Sequence, residues 1–192
     1  MRKTIVFAVV LAFVLGSVGF ALAEDNPLAA KEKEVHSEFS KMIPADHLID
    51  VFKLHEVWKK AMADPAYRAK IYLIDVRTHA EFYAFHIEGT DHIHAGHMYT
   101  IPKKITDPNA EIYIWCRTAH RAKYVGGFLY KYGFKNVYVV GGTKDNHGGV
   151  VGWAQAGFPL VNEFTGTFNI IEYRKAPSDL EKSFRIREFH PY

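Results

Sequence analysis

The sequence predicts an α/β fold, a small parallel sheet flanked by helices, on three observations. First, the runs IYLIDV (71–76), EIYIWC (111–116) and NVYVV (136–140) are short, apolar and β-rich, the composition of strands buried on both faces. Second, the stretches around them have helical spacing or helix-closing signals. Third, the connections are short, and strands alternating with helices over short connections call for parallel pairing.

The elements are justified in chain order. Arg2 and Lys3, an apolar run from Ile5, and Ala21-Leu22-Ala23 before Glu24 have the layout of a cleaved secretory signal over residues 1–23. The expected product is exported, periplasmic in a Gram-negative cell and otherwise secreted, with no stable membrane insertion after cleavage. Residues 24–44 are polar and mixed and are expected to be a flexible leader. In LIDVFKLHEVWKKAMADPAYRAK, Leu54, Val57, Trp58 and Ala61 share one helical face. HAEFYAFHIEG reads as a short helix and a turn at Gly89. HRAKYVGGFLYKYG reads as a helix closed by Gly133. GVVGWAQAGFPLV reads as a turn, a short helix and an exit.

The formal charge is +3, and without Arg2 and Lys3 it falls to about +1. Near-neutral charge gives no support for nucleic-acid binding. A chain of 192 residues is expected to form one domain. Its single cysteine excludes an internal disulfide, a multi-cysteine zinc site and a c-type haem motif.

That cysteine, Cys116, closes the second strand run, and C-R-T-A-H-R follows at residues 116–121. Ligands of open parallel sheets bind beyond the carboxyl ends of the strands, where Cys116 lies. A tight loop there turns backbone N–H groups inward and, with the next helix N-terminus, makes an anion cradle. The same field favours thiolate, and Arg117 and Arg121 add to it. The alternative is a structural cysteine acting as a small apolar residue. Two arginines within five residues argue against it.

At these residues the sequence resembles the rhodanese family of sulfurtransferases. YLIDVRTHAEFYAFHIEGTDHI resembles the family's early segment, with Asp75, Arg77, Glu81, Phe82, His86, Ile87 and Gly89 in place. CRTAHRA resembles its active loop, and YKYGFKNVYVVGG with GGVVGWAQAGFP its closing segment. The resemblance implies a three-layer rhodanese-like fold over residues 45–161, with 162–192 as a C-terminal extension. It also implies a persulfide on Cys116, charged by a small sulfur-anion donor such as thiosulfate or polysulfide. A thiol, sulfite or cyanide would accept the sulfur, and no cofactor is expected. Arg117, Thr118, Ala119, His120 and Arg121 are the expected substrate-binding loop, and Asp75 and Arg77 its supports. A different class of reading is a periplasmic carrier that delivers sulfur to a respiratory enzyme, which needs a redox protein partner. Four residues separate Cys116 from Arg121, where the related phosphatases have five, so sulfur chemistry is favoured over phosphate chemistry.

Three features depart from the family pattern. Ala119 stands where many members have Gly. Gly141-Gly142 and Gly148-Gly149 look like one turn written twice around TKDNH (143–147), an expected insertion at the mouth of the site. His92, His94 and His97 lie close in sequence but are expected to face different ways on a strand and a turn, so no metal site is expected. The tail, with Phe164, Phe168, Ile170, Tyr173, Phe184, Phe189 and Tyr192, is too apolar to hang free. It is expected to pack on the domain or on a partner.

Overall fold

The computed structural model describes residues 26–170. The expected signal at 1–23 and the tail residues Tyr173, Phe184, Phe189 and Tyr192 lie outside them. The first described element, α1, is a helix over Pro27–Lys41, within the residues expected to form a leader. Pro27 occupies its first position, where a missing N–H costs nothing, and alanines, lysines and glutamates fill the next turns. Its apolar face is too sparse to show as a period in the sequence. From His36 onward the chain belongs to the compact body.

Five strands form one sheet: β1 (Leu48–Ile49), β2 (Ile71–Asp75), β3 (Asp91–His92), β4 (Glu111–Trp115) and β5 (Asn136–Val140). Their order is β1-β5-β4-β2-β3, and every pairing is parallel. The edge strands β1 and β3 have two residues each, too few to carry a sequence pattern.

Alternation along the central strands makes the layers. Ile74, Ile112, Ile114, Val137 and Val139 face one core, which also contains Ala122, Val125 and Leu129 of helix α6 (His120–Tyr132). Leu73, Tyr113, Trp115 and Val140 face the other, filled by α2 (Val51–Ala63) and by α7 (Gly149–Gln155), which buries Trp153. A period of two on the strands thus gives each face its own helices. Short helices α3 (Pro65–Arg68), α4 (His79–Ala84) and α5 (Ile101–Lys104) complete the connections.

Local signals account for the helix ends. Asp50 caps α2 by accepting the Lys53 N–H at 2.7 Å. Thr78 and Glu81 form a reciprocal capping box at the start of α4. Gly133, at φ 117, closes α6 as expected. A hairpin, β6 (Leu160–Asn162) and β7 (Gly166–Phe168), follows α7. Phe168 and Ile170 pack on the second core, whereas Phe164 at the hairpin tip is exposed.

Candidate active site

The site lies where the sheet's connections diverge. After β2 the chain runs outward to β3, and after β4 it runs the other way to β5. The loops leaving the carboxyl ends of β2 and β4 therefore part, opening the crevice typical of parallel sheets. Cys116 follows β4, and Val76, Arg77 and Thr78 follow β2.

Cys116 is a free thiol with 1% of its surface exposed, on the α6 face of the sheet. Its loop reverses at Ala119, which takes φ 81 and ψ −18 as the residue before α6. Among the described residues no side chain caps α6 there, and the start of a helix is a place whose N–H groups favour an anion.

Gly149 fixes the other side of the loop. The N–H groups of Val150 and Val151, at the start of α7, donate to the carbonyls of Cys116 and Arg117 at 2.9 and 3.1 Å. A Cβ on Gly149 would overlap the Cys116 carbonyl, and its φ is +61. Gly148 packs directly on the backbone of Gly141 and Gly142. The two glycine pairs are therefore not one turn repeated: the first ends β5 and the second clamps the cysteine loop. Between them, Thr143 closes residues 143–147 on itself by accepting the N–H groups of Asp145 and Asn146.

Arg121 spans the crevice. Its two terminal nitrogens donate to the Glu81 carboxylate at 2.6 and 2.8 Å. Burial alone would raise the Glu81 pKa, but the Arg121 and Thr78 hydrogen bonds outweigh it and hold it at about 2. The Arg121 guanidinium is held more firmly protonated, chiefly by its hydrogen bond to Glu81, against the cost of burial, and further by the Cys116 sulfur. Arg121, a residue of the expected substrate-binding loop, thus turns its fork onto a carboxylate of the chain itself. That acid stands three residues into α4, where it also completes the capping box with Thr78.

Asp75 and Arg77 are fully buried and bound together. The Arg77 N–H and Nε donate to Asp75, and another Arg77 nitrogen donates to the Phe85 carbonyl at 2.6 Å. They brace the β2 loop. Arg117 and Thr118 are exposed, and Ala119 is buried. The exposed His120 stacks its ring on His36 of α1 at 4.1 Å between centroids, with Tyr124 edge-on. A cleft of about 570 Å³ opens beside the loop, with Arg77, Glu81 and Arg117 among its polar walls. Ala80, Ala84, Phe85, Val150, Val151 and Ala154 supply apolar wall.

Residues 54–156, more than half of the chain, match the family model Rhodanese-like domain. The chain belongs to the rhodanese-like domain family. Membership supports sulfurtransferase chemistry as a class. None of the curated proteins matches the chain. Among solved structures, the homodimeric polysulfide-sulfur transferase of Wolinella succinogenes is 22% identical, with 72% of this chain and 93% of that one covered at a TM-score of 0.50. A thiosulfate sulfurtransferase from Pseudomonas aeruginosa is 18% identical, covering 78% of this chain and 26% of that one at 0.47. A rhodanese-related protein from Thermoplasma volcanium is 24% identical, covering 53% and 94% at 0.41. At these identities the likeness is one of fold.

Within the rhodanese-like frame, Cys116, Ala119 and Arg121 come together at one crevice, and Arg117 reaches its cleft wall. Glu81 and Gly149 are the residues that sequence reasoning missed as parts of the site. The THAE capping pattern was the only local signal for Glu81. Gly149 gave none, because its role depends on a carbonyl more than thirty residues away.

Proposed function

We propose that the protein is a sulfurtransferase that moves sulfane sulfur from thiosulfate or polysulfide to a thiophilic acceptor through a persulfide on Cys116. The observation that carries this reading is the chain's lone cysteine at the carboxyl end of the central strand. It stands just before the start of α6 and interacts with a protonated arginine.

In the first half-reaction the Cys116 thiolate attacks the donor's sulfane sulfur. A new S–S bond forms, the donor's S–S bond breaks, and the electron pair leaves with sulfite from thiosulfate or with the shortened polysulfide anion from polysulfide. In the second, a thiolate, sulfite or cyanide attacks the outer sulfur and takes it, and the cysteine leaves as thiolate. No external oxidant or reductant is required. The α6 N–H groups and Arg121 stabilise the anionic sulfur in both states. Arg117, on the cleft wall, meets the donor's charged end, while the apolar wall suits the uncharged middle of a sulfur chain. Burial of Cys116 shields the carried sulfur from water and stray thiols, and turnover requires the loop to open for each partner. The reading places this chemistry in an exported protein.

Steady-state transfer from thiosulfate to cyanide, and from polysulfide to cyanide, tests the reading. Ping-pong kinetics with at least one donor is expected. A protein that takes up sulfur stoichiometrically but turns over with neither donor would instead be a carrier.

A further inference from the structure

A second pocket, of about 360 Å³, opens beside β3, and four histidines line it. His79 begins α4, His92 ends β3, His94 precedes the 3-10 turn Ala95–Thr100, and His97 lies within that turn. The sequence expects His92, His94 and His97 to face different ways. Instead the turn brings the chain back, and the rings form a series. His79 lies 4.8 Å from His92 and 6.1 Å from His94, and His94 lies 5.8 Å from His97, between centroids. His79 is exposed and the other three are half-buried, so the rings line an open cavity and do not fill a core.

The charges around the pocket have one sign. Tyr99 and Lys104 complete its ionisable lining, and no carboxylate is among the lining residues. Lys103 of α5 lies over the Tyr99 ring, and Arg121 of α6 acts electrostatically on His94. The acids on the packed elements are engaged elsewhere. Asp91 of β3 pairs with Arg68 at 3.1 Å, and Glu81 of α4 pairs with Arg121. Among the described residues, no three His, Cys, Asp or Glu side chains are arranged to hold a metal ion.

We propose that this pocket binds a divalent sulfur oxyanion, the chemistry shared by sulfite, thiosulfate and sulfate, and that it tightens as pH falls. The hydrogen bonds leave donors for it. His94 Nδ1 accepts the Gly96 N–H at 3.3 Å, which leaves Nε2 to carry a proton. His92 Nε2 donates to the Arg77 carbonyl at 2.9 Å, which leaves Nδ1 to take one. Burial first, then the charges of His97, His79, Arg121 and His92, lower the pKa of His94, so protonation of His94 is disfavoured. A bound dianion offsets both causes, and uptake of anion and proton are therefore linked. Helix α4 separates this pocket from the apolar cleft: His79 lines one, and Ala80 and Glu81 the other. A site there would hold leaving sulfite or a waiting donor near the loop. That role rests on the proposed sulfur transfer, whereas the binding does not.

The test is a sulfate titration of the purified protein followed by histidine-ring NMR at constant ionic strength, at about pH 7.5 and about pH 6. The signals of His79, His92, His94 and His97 should move together, with a Kd that falls about fivefold or more at the lower pH. Cys116→Ser should keep this response even where it abolishes sulfur uptake, which separates a failure here from a failure of the sulfurtransferase reading. His94→Gln with His97→Gln should weaken binding about tenfold, and His97→Gln alone serves if the pair does not fold. Ring signals that ignore sulfate, or a Kd indifferent to pH, overturn the proposal. Saturable zinc binding by these rings without a sulfate response overturns it as well, in favour of a metal site.

Discussion

Ala119 sits in the left-handed region at φ 81, where a Cβ crowds the following carbonyl and costs about 1–2 kcal/mol. Ala119→Gly should therefore raise stability by about 1 kcal/mol, measured by denaturant unfolding, because the loop keeps its shape and loses its strain. Unchanged or lower stability would show that packing of the buried methyl outweighs the backbone term. The two arginines of the loop divide their work. Arg117 is exposed on the cleft wall, so Arg117→Ala should raise the KM for thiosulfate about tenfold and affect polysulfide less. Arg121 is held by Glu81 and touches the sulfur, so Arg121→Ala should lower kcat/KM about a hundredfold with both donors alike. The reverse pattern, with thiosulfate use lost selectively in Arg121→Ala, would assign the sulfonate to Arg121 instead.

Between elements, two contacts hold the crevice in register. The first joins α4 to α6 through Glu81 and Arg121. The Glu81 carboxyl titrates at about 2 in the fold against an ordinary value of 4.5. Its stabilising contribution is thus complete above 4.5 and drains away as pH falls through about 2. Acid unfolding followed by circular dichroism should show that loss, and Glu81→Gln should flatten it over the same window. An identical acid limb in the variant would mean the pair contributes nothing to folding. The second contact joins α7 to the cysteine loop through Gly149. Gly149→Ala must displace the Cys116 carbonyl or the start of α7. It should cost about 1–3 kcal/mol and lower activity at least tenfold. Full activity in that variant would show the clamp to be dispensable. This clamp also bears on the segment 143–147, because any shortening must retain Gly148 and Gly149.

At the level of the whole molecule, the three central strands, the helices packed on them and the place of Cys116 could be read from alternation, helical spacing and topology. Those features depend on residues close in sequence. What could not be read depends on contacts between distant segments. Glu81 and Arg121 are forty positions apart, and Gly149 meets a carbonyl across the crevice. The histidines at 79, 92, 94 and 97 assemble only because a two-residue strand gives way to a 3-10 turn. Helix α1 was missed because its face is mostly polar, while its His36 stacks on the loop residue His120. The body thus consists of a legible scaffold and a site set by long-range pairs. One thiol sits at the meeting point of both, and no second cysteine can substitute for it. Intact-protein mass spectrometry after incubation with thiosulfate or polysulfide, followed by peptide mapping, addresses that thiol directly. Sulfur transfer through Cys116 requires added mass of one or more sulfur atoms on the Cys116 peptide, removed by cyanide and absent from Cys116→Ser. Catalytic turnover in Cys116→Ser, or no sulfur on Cys116 with either donor, would contradict it.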